Sequence, residues 1–185
     1  MSSKEYVIGV TGASGIIYAR RLLEVLCRDA RVHLVISEQA RAIAVHEGVS
    51  LEGFDAIYVN PCLLSADIAS GSCRIDGMAV VPCSMKTLAG ISHGYSDTLI
   101  GRAADVCLKE RRRCVLLLRE MPLSRVHLKN MLAADEAGAV VMVASPAFYH
   151  RPATIDDLVD MVVARVLDHL GVEHTLGPHW SGYDA

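Results

Sequence analysis

The sequence is poor in aromatic residues and has no long apolar run. Only 5% of its 185 residues are aromatic, including one tryptophan and two phenylalanines, although 52% are hydrophobic. No apolar stretch approaches the roughly 18 residues that a membrane-spanning helix needs. A glycine-rich turn also stands near the N-terminus, where a signal peptide would have its apolar core. We therefore expect a cytoplasmic protein that has no membrane partner.

The chain also lacks an excess of basic charge and any C-x-x-C pair. Its formal net charge is -3, with acidic and basic residues interspersed, whereas a nucleic-acid-binding protein needs a basic stripe to neutralise phosphates. The six cysteines are scattered, and most of them lie in apolar segments. This distribution is typical of reduced, buried thiols rather than of disulfides or zinc ligands. We expect no nucleic-acid partner and no metal site.

The length of the chain is sufficient for one sizeable core and short for two, since domains usually contain about 100 to 200 residues. We predict one domain over residues 1–171. Residues 172–185 are too polar and broken for a helix, and we predict that they form a tail that packs at a subunit interface.

Strands and helices are predicted to alternate along most of the chain. Residues 6–10 are a short apolar run that favours a strand, and residues 16–27 have apolar positions near helical spacing. Residues 77–82 are apolar on both faces, which is typical of a parallel strand that helices cover on both sides. Further elements are predicted over 32–36, 39–47, 97–111, 114–118, 124–137, 139–143 and 154–170. Between residues 48 and 74 the pattern weakens, and we predict a long connection over the site.

This alternation predicts an α/β fold with a doubly wound, mostly parallel sheet. In such folds the ligands bind beyond the carboxyl ends of the strands, so functional residues should follow strands. The turn after the first strand is the first candidate. Gly12 and Gly15 allow the chain to turn tightly, so that free amides at the start of the next helix and the Ser14 hydroxyl can face an anion.

We predict that this turn holds the phosphate of a nucleotide-type cofactor, the alternative being a tight turn without a ligand. Gly9, Gly12 and Gly15 are spaced at every third residue and depart from the G-x-G-x-x-G pattern, so a dinucleotide motif is not indicated.

Hydroxyl groups follow two other predicted strands. Ser37 ends the second strand. It could contact a ligand there or serve only as a turn or cap residue, and both interpretations are open. Ser84 to Thr87 follow a buried strand directly and precede a helix, which predicts a second cradle for an anion or a flavin edge. The Walker pattern requires a glycine directly before its lysine, and no glycine precedes Lys86, so this is not a Walker loop. We favour Cys83 as a small buried filler over a nucleophile, because no partner histidine is evident nearby.

Charged residues resume at the ends of later elements. Within the charged run 109–113, Arg111 to Arg113 are predicted to be a solvated helix end, where cations suit the helix dipole. Arg119 and Glu120 follow a strand, where they can bind a phosphate and transfer a proton, a surface ion pair being the alternative. Tyr149 follows the last strand and either donates to a phosphate or packs in a turn. Arg165 lies in an apolar helix and either reaches a ligand or, as we favour, snorkels to solvent.

Taken together, these segments resemble the UbiX-type flavin prenyltransferases. The resemblance runs in order along nearly the whole chain, and it points to the branch of the family that is associated with non-oxidative hydroxyarylic acid decarboxylases. The segments that carry it are TGASG (11–15), SGS (70–72), DGM (76–78), PCSMKT (82–87), RAAD (102–105), LKER (108–111), REMPL (119–123), HLKNML (127–132) and PAFY (146–149).

The resemblance implies a flavodoxin-like, Rossmann-like domain that binds reduced FMN. Such enzymes transfer a dimethylallyl group from dimethylallyl phosphate to N5 and C6 of the flavin and close a fourth ring. The product, prenylated FMN, would serve a separate UbiD-type aromatic acid decarboxylase. The family typically forms homododecamers built from trimers, with the active site between subunits, so some residues would act in trans.

The resemblance also assigns residues to the two ligands. It implies FMN contacts at Gly12, Ala13, Ser14, Ser37, Ser84, Met85, Lys86, Thr87 and Arg102. It implies prenyl phosphate contacts at Ser70, Lys109, Arg119, Tyr149 and Arg165. Cations and donors of this kind stabilise the charge of a departing phosphate. Ser14, beside the reacting flavin, would act in catalysis, together with Glu120 as an acid and Glu47 as a second carboxylate near the flavin.

Two other functions are open. One is a flavin-dependent decarboxylase of the cysteine type, which would need a catalytic histidine. The candidate histidines are His33, His46, His93 and His127. The other is a non-catalytic carrier that binds prenylated FMN without making it.

One departure from the family pattern concerns an aromatic side chain. Some members place a tryptophan near the prenyl group shortly before the Ser-Gly-Ser segment, and Leu64 or a neighbour stands there in this chain. The only tryptophan is Trp180. An aromatic face stabilises an allylic cation, so either another residue does this here or the transition state is less cationic.

Overall fold

Strands and helices alternate along the described part of the chain, residues 4–177 of a computed structural model. The strands are β1 (Glu5–Val10), β2 (Arg31–Ile36), β3 (Ile57–Val59), β4 (Gly77–Cys83), β5 (Arg113–Leu118) and β6 (Val140–Val143). The helices are α1 (Ile16–Leu26), α2 (Glu38–Glu47), α3 (Met85–Ser92), α4 (Leu99–Lys109), α5 (Arg125–Glu136) and α6 (Ile155–Leu170). A short 3-10 helix, Asp67–Ala69, lies between β3 and β4.

The six strands form one sheet in the order β3-β2-β1-β4-β5-β6. Every pair of neighbours is parallel, and the predicted doubly wound fold is confirmed. The chain runs outward from β1 to β3, returns to β4 on the other side of β1, and continues to β6. The order therefore reverses between β1 and β4, which is the place where doubly wound folds bind their ligands.

Apolar side chains cover both faces of the sheet, as the both-face apolarity of residues 77–82 predicts. All seven residues of β4 are buried. Ala79 and Val81 pack with α1 and α6 on one face, and Met78 and Val80 pack with α3 and α4 on the other. Each large apolar side chain buried in this way contributes about 1.5–3 kcal/mol. These two cores hold the carboxyl ends of β1 and β4 in place.

The connection predicted over residues 48–74 contains two elements that the sequence did not indicate, β3 and the 3-10 helix. β3 pairs only with β2 and lies at the edge of the sheet. Its residues Ile57 and Tyr58 are exposed, so the buried alternation that identifies a strand is missing there. The helix predicted over 97–111 is also shorter, because Arg111 has a left-handed φ of 54° that no α-helix continues.

The cysteines are free thiols with different exposures. Cys83, Cys107 and Cys114 are completely buried. Burial raises the pKa of Cys107 to about 12 and the pKa of Cys83 far above its usual value, so Cys83 is a filler and not a nucleophile. Cys62 is exposed, and the prediction of buried thiols is wrong for it.

The tail predicted over residues 172–185 begins on the chain's own last helix. His174 Nε2 lies 3.0 Å from Asp168 Oδ1, and Val172 and Leu176 pack against the core. The rest of the predicted tail, residues 178–185 with Trp180, lies outside the described residues. Within residues 4–177, none of the helices has the length and apolar character to cross a membrane.

Candidate active site

A cleft of about 1010 Å³ lies across the carboxyl edge of the sheet. At least one lining residue follows each of the first five strands: Thr11 after β1, Ser37 after β2, Asn60 after β3, Ser84 after β4 and Glu120 after β5. The volume is at the upper end of the roughly 300–1,000 Å³ that ligand sites usually have. The cleft is therefore in the predicted place and large enough for a nucleotide-type ligand.

Thr11 joins the two strands at which the strand order reverses. Its Oγ1 donates to the carbonyl of Pro82 and accepts from the amide of Ser84, both at 2.8 Å. The Thr11 side chain is only 3% exposed, so water competes little for these bonds. They fix the glycine turn relative to the start of α3, and these are the two cradles that the sequence predicts.

The glycine turn is tight, as its residues predict. Gly15 has a φ of 104°, in the left-handed region where other residues are strained. A Cβ on Gly12 would lie 2.7 Å from Gln39 Cβ. Only glycine at position 12 therefore allows the turn to lie this close to α2.

Glu47 caps α1 from the far end of α2. Its two carboxylate oxygens accept from the amides of Gly15 and Ile16, each at 2.9 Å, and a negative charge is favourable at the N-terminus of a helix. These two amides were predicted to face a phosphate, and that prediction is wrong for them because a side chain of the protein occupies them. Glu47 does lie beside the glycine turn.

Two other helices begin at the cleft. Ser37 Oγ accepts from the amide of Ala40 at 3.2 Å, and Ser84 Oγ accepts from the amide of Thr87 at 3.3 Å. Both serines are therefore N-caps of their helices, and both also line the cleft. The N-termini of α2 and α3 thus open on the cleft, and their dipoles and free amides favour an anion there. Met85, Lys86 and Thr87 line the cleft with them.

Arg119 and Glu120 follow β5 on the same edge. Arg119 Nε donates to the carbonyl of Ser14 at 3.2 Å, which places a cation against the glycine turn. Glu120 lines the cleft, and its Oε1 accepts from the amide of Met121 at 3.0 Å. Both side chains bind backbone atoms rather than each other, so the alternative of a surface ion pair is wrong.

Arg102 and Lys109 are not brought into the cleft of their own chain. Arg102 donates to the carbonyl of Ala69 at 3.1 Å and to Asp105 at 2.8 Å. Lys109 is the last residue of α4, about 15 Å along the helix axis from the end that lies at the cleft. Its ammonium bonds to Glu110 and lowers the pKa of that carboxyl.

The remaining predicted residues of the prenyl phosphate site are also separate from the cleft. Ser70 lies in the segment beside Lys109. Arg165 is exposed on α6 and donates to Asp168, so it snorkels to solvent, as favoured from the sequence. Tyr149 lies on the loop after β6, at the same edge as the cleft, and its ring packs edge-on against His150 with centroids 5.7 Å apart.

Several polar residues of the cleft were not singled out from the sequence. They are Gln39, Asn60, Tyr95, Asp97 and Thr98. Asn60 had a usable signal, because its Oδ1 accepts from the amide of Cys62 at 3.0 Å in the type of turn that Asn-Pro predicts. Recognition of β3 would have placed that turn at the carboxyl edge.

The four candidate histidines do not line the cleft. His33 is buried against Glu5, His93 bonds to Ser92, and His127 completes the cap of α5. No group of three or more His, Cys, Asp or Glu within residues 4–177 is arranged to hold a metal ion.

Comparison with known proteins decides the family. The profile of the Flavoprotein family matches residues 1–167. The chain is 45% identical over 180 residues to flavin prenyltransferase UbiX of Methanocaldococcus jannaschii, an alignment that covers 94% of this chain and 97% of that protein. This chain belongs to the UbiX-type flavin prenyltransferases.

Solved structures of UbiX-type proteins have the same fold. AnUbiX (PadA1), solved in complex with FMN and dimethylallyl pyrophosphate, is 42% identical with a TM-score of 0.94 over 99% of this chain and 100% of that chain. A dodecameric FMN-dependent UbiX-like decarboxylase from Escherichia coli O157:H7 is 46% identical with a TM-score of 0.90 over 96% and 100%. The FMN-dependent cysteine decarboxylase TvaF is only 13% identical, with a TM-score of 0.64, and shares the fold alone.

Proposed function

We propose that this chain is a flavin prenyltransferase that transfers a dimethylallyl group from dimethylallyl phosphate to reduced FMN. One observation carries the proposal: in a chain of this family, a single cleft collects the N-termini of α2 and α3, the glycine turn and Glu120, with Arg119 held against that turn. An anionic cofactor, a cation for a leaving phosphate and a carboxyl group for proton transfer can therefore meet there.

The residues of the cleft fit FMN. Because Glu47 occupies the amides at the start of α1, the phosphate of FMN is better placed at the start of α3. Ser84, Lys86 and Thr87 offer hydroxyls, a free ammonium and a helix N-terminus there. Thr11 and Gly12 line the cleft, so the flavin would lie along the glycine turn.

Reduced flavin supplies the nucleophilic N5 and C6, and the residues of the chain orient and stabilise the other groups. Departure of the donor's phosphate breaks a C–O bond and leaves negative charge on oxygen. Arg119, held beside Ser14, would stabilise that charge. Glu120, which lines the cleft, would hold and release a proton, and Ser14 would bind beside the reacting ring.

Ser70, Lys109, Tyr149 and Arg165 would complete the donor site from neighbouring subunits. One chain holds Lys109 and Arg165 away from its own cleft, and a 46% identical relative is dodecameric. We therefore propose a homododecamer in which a cleft from one subunit meets cations from others. The FMN contact of Arg102 would likewise be made in the cleft of a neighbouring subunit.

We also propose that a UbiD-type decarboxylase receives the product and that the protein works in the cytoplasm. The six free cysteines support a reducing compartment. Addition of the isolated product to a UbiD-type decarboxylase without cofactor should restore decarboxylation of an aromatic acid, and unmodified FMN should not.

The proposed activity is tested by anaerobic incubation with reduced FMN and either dimethylallyl phosphate or the pyrophosphate. Mass analysis of the flavin distinguishes the functions. A prenyltransferase yields a flavin heavier by one dimethylallyl unit, and a carrier binds prenylated FMN but leaves the mass of FMN unchanged. A decarboxylase of the cysteine type would instead consume phosphopantothenoylcysteine. That function is not favoured, because no histidine within residues 4–177 lines the cleft.

A further inference from the structure

The segment of residues 70–73 is held against α4 mainly by polar contacts. Ile68 and Ile75 are buried on either side of it, whereas the six residues between them are exposed or only partly buried. A segment with so little apolar burial opens easily unless other contacts hold it. Its own backbone bonds are few, from Ser70 to Asp67 and from Cys73 to Ser70, so its conformation also depends on the side chains that bind its backbone.

Arg112 provides two of these contacts. Its Nη1 donates to the carbonyl of Cys73 and its Nη2 to the carbonyl of Gly71, both at 2.7 Å. One planar guanidinium thus joins two carbonyls, which the single ammonium of a lysine cannot do with the same geometry. The prediction of a solvated helix end is right for the exposed Arg111 but wrong for Arg112. It is also wrong for Arg113, which begins β5 and donates to the carbonyl of Leu170.

The backbone of Arg112 is itself fixed. Its amide donates to the carbonyl of Cys107 at 2.8 Å, and the amide of Arg111 donates to that of Leu108 at 3.0 Å. These two bonds close α4 in a Schellman motif, with Arg111 in the left-handed position. β5 begins at the next residue, so the guanidinium of Arg112 extends from a rigid base.

These contacts place the segment beside Lys109. A Cβ on Gly71 would lie 2.9 Å from Lys109 Nζ and would overlap Glu110 Oε1, so the backbone at Gly71 touches this ion pair. The hydroxyls of Ser70 and Ser72 lie 2.9 Å apart in the same segment. The backbone between these two hydroxyls touches the Lys109 ammonium, which is paired with the Glu110 carboxylate. A phosphate bound at this segment would replace that carboxylate as the partner of the ammonium and could accept from the two hydroxyls.

We propose that Arg112 is a positioning residue for the prenyl donor. By binding the carbonyls of Gly71 and Cys73, it holds the hydroxyls of Ser70 and Ser72 beside the Lys109 ammonium, and it thereby sets the affinity for the donor's phosphate. This inference rests on the proposed function, in which Ser70 and Lys109 contact that phosphate. Arg112 itself touches neither the donor nor the flavin.

The test compares Arg112→Ala and Arg112→Lys with wild type and with Arg111→Gly. The last variant removes the neighbouring charge, and glycine suits the left-handed φ at that position. Each protein is assayed for its KM for dimethylallyl phosphate, its kcat and its Kd for FMN. Melting temperature and size-exclusion elution show whether each variant remains folded and assembled.

We expect Arg112→Ala to raise the KM for dimethylallyl phosphate about tenfold, since loss of hydrogen bonds from a charged donor has effects of this order. The kcat and the Kd for FMN should stay within about twofold, Arg112→Lys should recover part of the loss, and Arg111→Gly should match wild type. Millimolar guanidinium ion should lower the raised KM of Arg112→Ala.

An unchanged KM in Arg112→Ala overturns the inference, and so does an equal loss in Arg111→Gly, which would indicate charge alone. If Arg112→Ala fails to fold, Arg112→Lys decides, and a KM equal to that of wild type overturns the inference. If wild type forms no prenylated FMN, the proposed function fails instead. In that case hydrogen exchange of residues 70–73 still tests the clamp, because exchange must be faster in Arg112→Lys than in wild type.

Discussion

Ser14 and its neighbours are held from two sides by charged groups. The Glu47 carboxylate binds the amides of Gly15 and Ile16, and the Arg119 guanidinium binds the carbonyl of Ser14. Charge-assisted hydrogen bonds of this kind are stronger than neutral ones. The hydroxyl of Ser14 is therefore presented by a turn whose backbone is fixed before any ligand binds.

Glu120→Gln tests the proton-transfer role. The amide has nearly the shape of the carboxyl and can still accept from the amide of Met121, so the Kd for FMN should be unchanged. Because it cannot transfer a proton, the rate of prenyl transfer should fall about a hundredfold. Single-turnover kinetics measure that rate, Glu136→Gln on the exposed end of α5 is the control, and unchanged turnover would remove Glu120 from the mechanism.

Cys62 provides a reporter of the cleft. It is exposed and lines the cleft, whereas burial raises the pKa of Cys83, Cys107 and Cys114 and keeps them as thiols near pH 8. An alkylating reagent should modify Cys62 first, and bound FMN should slow that reaction. Timed mass spectra with and without urea check the order, and rapid alkylation of Cys83 in the native protein would contradict it.

The residues of the site differ in how well the sequence predicts them. Ser84 and Glu120 follow buried strands, and their place at the cleft can be predicted from that alone. The position of the Glu47 carboxylate cannot be predicted in this way, because nothing local to α2 shows that its side chain reaches the start of α1. The same holds for Arg112, whose partners are about 40 residues away and whose charged neighbours suggest a solvated helix end.

Helices and strands with buried faces are the elements that the sequence predicts best. β1, β4 and β5 are apolar on both faces, and α6 has one apolar face with a capping box at Thr154 and Asp157. β3 was missed because its side chains are exposed, and a three-residue edge strand has no period to detect. The cleft wall that follows β3 was missed with it.

Thr154→Ala should lower the free energy of unfolding by about 1 kcal/mol, because the amide of Asp157 loses the Thr154 hydroxyl that caps α6. Thr154→Ser keeps the acceptor and should match wild type. Urea unfolding at pH 7 measures both values. Equal stability of the alanine and serine variants would show that the cap contributes nothing.

Asp157 makes the stability of this helix end dependent on pH. The amides of Thr154 and Ala153 donate to its carboxylate and lower its pKa below the usual 3.8. A lowered folded-state pKa stabilises the fold above the unfolded value and loses that contribution as the pH falls through the folded value. The stability difference between wild type and Asp157→Asn should therefore be full at pH 7 and should decrease as the pH falls below the usual 3.8 of the carboxyl. A difference that is the same at pH 2 as at pH 7 would contradict this assignment.

In the whole molecule, the proposed function requires one subunit to contain the flavin cleft but only part of the donor site. Lys109 and Arg165 lie on α4 and α6, away from the cleft of their own chain, and the proposed oligomer supplies them from neighbours. Ser14→Ala and Lys109→Ala oligomers should each be impaired. When they are dissociated, mixed in equal amounts and reassembled, about a quarter of the sites should have both native residues.

If the reassembled mixture transfers the prenyl group at about a quarter of the wild-type rate, the sites are shared between subunits. Separately reassembled samples of each variant are the control. No recovery on mixing would place both residues in one chain.

The most direct test of the central proposal is the mass of the flavin recovered after one anaerobic turnover with reduced FMN and dimethylallyl phosphate. Wild type should yield a flavin heavier by one dimethylallyl unit together with free phosphate, and Glu120→Gln should bind FMN but form that product far more slowly. Recovery of only unmodified FMN from a wild-type sample in which FMN and dimethylallyl phosphate are both bound would contradict the assignment of this cleft as a prenyltransferase site.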